Sequence, residues 1–206
     1  METREIPVVI YAESTPNPSS MKFVANRMLT TEGATAQYLN ASETAGAPLP
    51  AKLFHFPFVK GIFIAANFIT ITKSDLVSWD DITLEMREFI RDYLSKGLPV
   101  IEELPQQEVH TDSSFKTTTT VFTEHASPKN ETEHKIVEVL EQYIRPAVEQ
   151  DGGLITFQSF ENGIVTVQLK GSCSGCPSST MTLKAGIEQL LKRLVPQVKE
   201  VVAESA

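Results

Sequence analysis

The sequence predicts an α/β (α+β) protein made of two small domains that are joined by a flexible acidic linker. Patterns typical of strands and helices occupy both ends of the 206-residue chain, and the stretch between them shows neither period. The chain is 41% hydrophobic and 21% charged, which provides enough apolar material for two modest cores. We therefore predict a first domain at residues 1–100, a linker at 101–130 and a second domain at 131–206.

The first domain is predicted to be an α/β unit with its own core. Residues 8–11 and 21–24 are apolar runs typical of strands, and a proline-rich turn at 15–20 separates them. An apolar stripe at helical spacing from 82 to 94 marks a long helix, which Gly97 and then Pro99 should end. Between these elements we expect a short helix at 49–54 and a hairpin formed by 61–64 and 68–72.

The linker is predicted from its composition. Residues 101–131 contain six acids, two lysines and a run of four threonines, as in an extended, solvated chain. An acidic docking site is the less favoured interpretation, because charge runs are usually solvated. His110 and His125 lie in this segment, and we expect neither to bind a metal, since nothing in the sequence brings them near the cysteines. The two domains should take several relative positions.

Helix and strand patterns in the second domain follow the order α-β-β-α-β. Asn130 and Glu133 form a possible capping pair at the start of the first helix, and Pro146 should weaken that helix because it lacks an N–H. Asn162-Gly163 is typical of a type I′ turn between two strands. The predicted elements are a helix with its apolar stripe at 136–148, strands at 154–160 and 164–170, a helix with its stripe at 183–194 and a strand at 198–202.

The only two cysteines, Cys173 and Cys176, form a C-x-x-C pair between a strand and a helix of this second domain. The spacing brings two sulfurs within reach of one metal, and it suits zinc, iron–sulfur centres and redox disulfides alike. Pro177 and Ser178 are expected at the start of the helix. The unpaired N–H groups and the helix dipole there favour a thiolate, so Cys176 should ligate or attack more readily than an ordinary cysteine.

Charge and composition argue against several functions. A net charge of −8 argues against a nucleic-acid partner, and no apolar run is long enough to span a membrane. Residues 1–14 hold three acids, one arginine and no long apolar segment, so we expect a cytoplasmic protein. Two cysteines are too few for a secreted disulfide framework. Nothing resembles a paired-carboxylate site, a Ser/His/Asp set or a P-loop, and we expect the protein not to be an enzyme.

Five other polar or aromatic residues are given structural interpretations. Asp151 precedes two glycines and is expected to end a helix rather than to tune a metal centre. Lys170 and Lys184 could offset the charge of a thiolate-bound cluster, but we interpret them as the solvated ends of a strand and a helix. His55 and Trp79 lie in apolar stretches and are expected to be packing residues.

Several motifs resemble a known family. Around the cysteines these are Asp151-Gly152-Gly153, the stretch 171–179 and the stretch 182–188; in the first domain they are Thr15-Pro16-Asn17-Pro18, Leu53-Phe54, the stretch 68–73 and Trp79. The first group closely resembles the C-terminal domain of NifU-like (Nfu-type) iron–sulfur cluster scaffold and carrier proteins. The second group resembles the N-terminal domain that precedes it in many members. The resemblance covers nearly the whole chain except the linker.

The resemblance implies that Cys173 and Cys176 bind a labile 4Fe-4S cluster, with 2Fe-2S as the other candidate. A cluster held only by protein thiolates needs four of them, so two chains would share it in a homodimer. Apo iron–sulfur proteins are the implied acceptors, upstream cluster-assembly proteins the implied donors, and exchange of thiolate ligands the implied route of transfer. The cysteine-free first domain is then expected to recognise acceptors or to stabilise the carrier.

Two other interpretations of the C-x-x-C pair stay open at this point. A thioredoxin-like dithiol oxidoreductase also places its pair at a helix N-terminus after a strand, although this chain lacks a tryptophan before Cys173. A zinc-binding interaction module would need two further ligands. His134 is the only histidine of the second domain, so such a zinc would be shared across a dimer.

Overall fold

The computed structural model describes residues 7–31, 34–102, 125–173 and 177–205, and its helices and strands form two α/β units that confirm the predicted fold class. The first unit contains β1 (Ile10–Ser14), β2 (Ser20–Ala25), β3 (Thr35–Tyr38), a 3-10 turn (Ala41–Glu43), α1 (Pro48–Leu53), β4 (Val59–Ala65), β5 (Phe68–Lys73) and α2 (Trp79–Ser95). Its strands form one antiparallel sheet in the order β1-β2-β5-β4-β3.

One face of this sheet packs against the helices. The side chain of Ser78 caps α2 by accepting a hydrogen bond from the Asp80 N–H, and Gly97, with φ of +66°, follows the end of the helix. Met86 and Ile90 on α2 are fully buried in the core. The sheet contributes alternate residues to the same buried cluster, among them Phe23, Ile62, Ile64, Ile69 and Ile71.

The opposite face of the same sheet is partly apolar as well. Because side chains alternate along a strand, the neighbours of the core residues point to this second face. We call this surface the docking face and define it by Lys22, Val24, Gln37, Phe63, Phe68 and Thr70. Phe63 and Phe68 are buried in a small cluster that also contains Leu154, far away in sequence. The second unit therefore covers part of the docking face.

The second unit has the predicted order α-β-β-α-β. It contains α3 (Glu131–Val139), a π-helical turn (Leu140–Ile144), α4 (Arg145–Gln150), β6 (Gly153–Glu161), β7 (Ile164–Gly171), α5 (Pro177–Leu194) and β8 (Glu200–Ser205). β6 and β7 are antiparallel, and β7 and β8 are parallel. Asn162 and Gly163 both have positive φ, 54° and 90°, as the predicted type I′ turn requires. α5 begins at Pro177, as predicted.

The first helical segment of this unit carries the predicted irregularity. The N–H of Arg145 bonds to the carbonyl of Leu140, five residues earlier, and Pro146 lies in the first turn of α4, where its missing N–H costs no hydrogen bond. The chain therefore accommodates Pro146 by a π-helical turn directly before it. The side chain of Asn130 accepts a hydrogen bond from the Glu133 N–H, which is the predicted cap.

Three features differ from the sequence prediction. β3 was not predicted, because its four residues Thr35-Ala36-Gln37-Tyr38 give too short an alternation to stand out. The last strand spans Glu200–Ser205 and not 198–202. Residues 103–124 of the predicted linker lie outside the described residues, and so does His110. Within the described part of the chain, no helix is long and apolar enough to cross a bilayer.

Candidate functional site

Cys173 lies two residues beyond the end of β7, beside the start of β6. Gly171, the last residue of β7, pairs with Gly153, the first residue of β6, so the two chain segments meet directly before the cysteine. Cys173 is 7% exposed and belongs to the buried core of the second unit. Residues 174–176 lie outside the described residues. The prediction that Cys176 is the more reactive thiol therefore stays a prediction.

Gly153 permits the close approach of Cys173. A Cβ atom on Gly153 would lie 2.7 Å from the Sγ of Cys173 and 2.8 Å from the carbonyl oxygen of Lys170. Real Cβ atoms do not approach other heavy atoms so closely, so any side chain here would displace the cysteine or the strand. Gly153 thus leaves the space that the thiol occupies, a role beyond ending a helix with Gly152.

Ser172 forms hydrogen bonds between the backbone segment that contains Cys173 and the segment that follows α4. Its Oγ donates a hydrogen bond to the carbonyl of Asp151 and lies 3.7 Å from the Sγ of Cys173. Its N–H donates to the carbonyl of Gly152 at 3.2 Å. We call the segments 149–153 and 170–173 the cysteine turns. These bonds, with the strand pairing of Gly153 and Gly171, join the two turns into one unit.

The electrostatic environment of Cys173 disfavours the thiolate when no metal is bound. Burial raises the pKa of the Cys173 thiol; its contact with the Ser172 hydroxyl opposes this shift, and the negative charge of Asp151 adds to it. Burial also raises the pKa of Asp151 itself, against the opposing charge of Lys22. Asp151 ends α4 as expected, and it is in addition electrically coupled to the cysteine.

Four side chains of the first unit bind the cysteine turns, an arrangement that the sequence analysis did not find. We call them the interdomain clamp. Their bonds are Lys22 Nζ to the carbonyls of Glu149 (2.9 Å) and Gln150 (3.2 Å), Thr70 Oγ1 to the carbonyl of Gly152 (2.7 Å), Asn17 Nδ2 to the carbonyl of Ser172 (3.1 Å), and the Gly171 N–H to Gln37 Oε1 (2.9 Å). All partners in the second unit are backbone atoms. The clamp therefore restrains the backbone of both cysteine turns.

Comparison with protein families identifies both units. A family model described as "Scaffold protein Nfu/NifU N terminal" matches residues 10–97, and one described as "NifU-like domain" matches residues 136–202. The chain belongs to the NifU-like (Nfu-type) family. Both matches agree with the resemblance found in the sequence motifs. The bounds predicted for the domains of this Nfu-type chain, 1–100 and 131–206, stay predictions.

Curated relatives resemble this Nfu-type chain over almost all of its length. The "NFU1 iron-sulfur cluster scaffold homolog, mitochondrial" of Drosophila ananassae is 36% identical over 192 residues, which are 93% of this chain and 63% of the relative. "NifU-like protein 4, mitochondrial" of Arabidopsis thaliana is 38% identical over 197 residues, 95% of this chain and 65% of that protein. The chain thus spans less than two thirds of the length of either relative.

One solved structure resembles part of the Nfu-type chain. It is the solution NMR structure of a NifU-like protein from Saccharomyces cerevisiae, which has a TM-score of 0.43 and 25% sequence identity. The match covers 50% of this chain and 92% of that chain.

Two expectations about individual residues of this Nfu-type chain are corrected. Lys170 is buried, 6% exposed, and is not a solvated strand end, because β7 is covered on both faces where it meets the first unit. His55 is exposed beside α1 and is not a packing residue, whereas Trp79 does pack against the core, with its ring edge-on to Phe23. Lys184 is half-buried on α5.

The histidines of the second unit are not gathered at the cysteine. His125 was assigned to the linker, but its Nδ1 accepts a hydrogen bond from the Phe157 N–H at 2.8 Å, and its Nε2 contacts the carboxylate of Glu141. His134 lies in α3. Among residues 7–31, 34–102, 125–173 and 177–205, no group of three or more His, Cys, Asp or Glu side chains is placed to hold a metal.

Proposed function

We propose that this chain is an iron–sulfur cluster carrier in which Cys173 and Cys176 supply the protein ligands. The observation that carries the proposal is the C-x-x-C pair in a matched NifU-like domain, placed after β7 and before α5. The names of the relatives, an iron–sulfur cluster scaffold homolog and a NifU-like protein, support the same function. The cluster is cargo, and we propose no turnover chemistry.

The ligand count favours a cluster shared by two chains. A 4Fe-4S cluster bound only through protein thiolates takes four, and each chain contains two cysteines. Among the residues that the structure describes, no group of three or more His, Cys, Asp or Glu side chains is placed to hold a metal. We therefore propose a 4Fe-4S cluster that bridges a homodimer, with 2Fe-2S as the other cluster that two cysteine pairs can hold.

Transfer would proceed by exchange of ligands. Thiolates of an apo iron–sulfur protein would replace those of Cys173 and Cys176 one at a time, so that no electron need move and the carrier returns to its starting state. Upstream cluster-assembly proteins would load the carrier in the reverse sense. The first domain, which contains no cysteine, would recognise acceptors or stabilise the carrier.

Anaerobic reconstitution with iron and sulfide tests this proposal. We expect about two irons and two sulfides per chain, eluting as a dimer in size-exclusion chromatography. Cys173→Ser and Cys176→Ser should each lose the cluster, and a Ser127→Ala variant, in the described segment before α3, is a control far from the cysteines in sequence.

Three results would contradict the proposal or its dimeric part. Stable zinc at stoichiometric amounts without iron would indicate the zinc module. A reversible disulfide between Cys173 and Cys176 with no bound iron would indicate a dithiol oxidoreductase. A cluster-loaded monomer without an added thiol would contradict the shared site.

The location of the chain is a separate proposal. We propose the cytoplasm as the location, whereas the relatives are named mitochondrial proteins. Fractionation of cells that express the chain with a C-terminal epitope tag decides between the two: recovery in the cytosolic fraction supports our proposal, and recovery in mitochondria contradicts it.

A further inference from the structure

The interdomain clamp contacts the backbone segments that determine the position of Cys173. Thr70 and Gln37 bond to Gly152 and Gly171, which lie on opposite cysteine turns. Gly152 is followed in the chain by Gly153, which lies against the Sγ of Cys173. Gly171 is followed by Ser172, which directly precedes Cys173. The hydrogen bonds that Thr70 and Gln37 make therefore restrain the two cysteine turns, which together hold the thiol of Cys173.

We propose that Thr70 and Gln37 are positioning residues, through which the first domain holds Cys173 in its buried position. The cysteine turns are joined to each other by Ser172 and by the pairing of Gly153 with Gly171. Because they form one unit, a bond to either turn restrains both. The consequence for cluster retention rests on the proposed function, whereas the restraint on Cys173 is a property of the chain without a cluster.

The chemistry of the contact favours this role over simple packing. Thr70 is 1% exposed, and its hydroxyl donates to the backbone carbonyl of Gly152 in the other domain. Without the Thr70 hydroxyl, the Gly152 carbonyl keeps the bond from the Ser172 N–H at 3.2 Å but loses its restraint from the first domain, so local opening of the turn is favoured. Loss of both bonds should raise the open population roughly tenfold, since each neutral hydrogen bond contributes a factor of about two to ten.

The experiment uses the full chain without cluster and measures alkylation of Cys173 by iodoacetamide at fixed pH, assigned to that residue by fragment-ion mass spectrometry. The double variant Thr70→Val/Gln37→Leu removes both polar groups without changing charge. We expect Cys173 to react roughly tenfold faster than in the wild type. Hydrogen exchange in the segments 149–157 and 170–173 should accelerate in parallel, because the same opening exposes these amides.

Two single variants are matched controls on strand β5. Thr70→Ser keeps the hydroxyl, so Cys173 should be alkylated at the slow wild-type rate. Thr72→Val removes a hydroxyl from the same face, but that hydroxyl lies 3.0 Å from Ser20 Oγ within the first domain, so the rate should stay near the wild-type value. If the double variant fails to fold, Gln37→Leu alone provides the test, with an expected increase of about threefold.

Equal alkylation rates in the wild type and in every folded clamp variant would overturn the inference. An equal increase in Thr72→Val would also overturn it, because the effect would then be general loss of stability. Failure of cluster reconstitution with an intact effect on Cys173 would contradict the proposed function and leave the positioning role standing. If both hold, the loaded double variant should lose its cluster to a chelator faster than the wild type.

Discussion

The ammonium of Lys22 donates to the carbonyl of Glu149 at 2.9 Å, and the two residues belong to different domains. It also reaches the carbonyl of Gln150, the last residue of α4. A cation at the C-terminal carbonyls of a helix satisfies groups that the helix itself cannot pair and opposes the negative end of its dipole. The first domain thus caps a helix of the second where that helix leads into the cysteine turn at 149–153.

We expect Lys22→Met to lower the free energy of unfolding by about 1–2 kcal/mol, because hydrogen bonds from a charged donor to α4 are lost while the aliphatic stem is kept. Urea denaturation measures the change. Lys60→Met is the matched control, since it removes the same charge from an exposed position on β4. Equal effects of the two substitutions would show that net charge, and not the cap, is responsible.

A second prediction concerns the space around the thiol. Gly153→Ala places a methyl group where the Sγ of Cys173 and the carbonyl of Lys170 now lie, so we expect a loss of about 1–3 kcal/mol in unfolding free energy. The cluster yield after reconstitution should fall as well. Thermal unfolding and iron analysis measure the two effects.

Gly186→Ala is the opposite case and serves as its control. Gly186 lies inside α5, and nothing comes within 4 Å of a Cβ atom there. The substitution should therefore stabilise the chain by about 0.5–1 kcal/mol through helix propensity. A loss of stability in Gly186→Ala equal to that in Gly153→Ala would mean that contact with Cys173 is not the cause.

Apart from the short strand β3, the main local elements of both domains could be predicted from sequence because each carries its own periodic pattern. The type I′ turn at Asn162-Gly163 and the start of α5 at Pro177 follow from residues that admit few other conformations. The sequence predicts the position of the irregularity at Pro146 but not its form, a π-helical turn. The missing N–H of a proline shows that one hydrogen bond is lost, and it does not show how the backbone adjusts.

The contact between the domains could not be predicted from periodicity. Leu154 reads as part of an ordinary strand, yet it is fully buried beside Phe63 and Phe68 of the first domain. The signal was the apolar character of these three residues on strand faces that a domain standing alone would expose. Sequence alone does not say which surface covers them, since bonds such as that from Thr70 to Gly152 join residues 82 positions apart.

A third prediction concerns a buried hydroxyl. Tyr38 is fully buried, and its hydroxyl has no hydrogen-bond partner among the residues that the structure describes. Tyr38→Phe should therefore leave stability at neutral pH unchanged or raise it by about 1 kcal/mol. Tyr93→Phe is the matched control: its hydroxyl donates to the Pro99 carbonyl at 2.7 Å, so that substitution should cost about 1 kcal/mol.

The same tyrosine should affect stability in alkali. Burial raises the pKa of Tyr38 to about 12, above its ordinary value of 10.0. A raised pKa in the folded state means that the unfolded chain loses its proton first, so the stability contribution is complete below about pH 10 and is lost as the pH rises toward 12. The fall in unfolding free energy over this range should be smaller in Tyr38→Phe. Parallel curves for the two proteins would contradict the expectation.

The last prediction concerns stability in acid. Glu141 lies in the π-helical turn, and its carboxylate contacts Arg145 at the start of α4 and His125 at the end of the predicted linker. Although burial acts in the opposite direction, hydrogen bonds from Arg145 and His125 lower the pKa of this carboxyl below its ordinary value of 4.5. A lowered pKa in the folded state contributes stability that is present above about pH 4.5 and is lost as the pH falls through the folded pKa. Between about pH 5 and pH 3, wild-type stability should therefore fall more steeply than that of Glu141→Gln.

The exposed carboxylate of Glu138 on α3 gives the control for this pH dependence. Glu138→Gln should follow the wild-type curve, because it leaves the bonds from Arg145 and His125 in place. Since the Phe157 N–H donates to the other ring nitrogen of His125, the Glu141 contact also holds the segment that leads into α3 against β6. Glu141→Gln should thus speed hydrogen exchange at Phe157 at neutral pH, and unchanged exchange there would mean that His125 is held by other contacts.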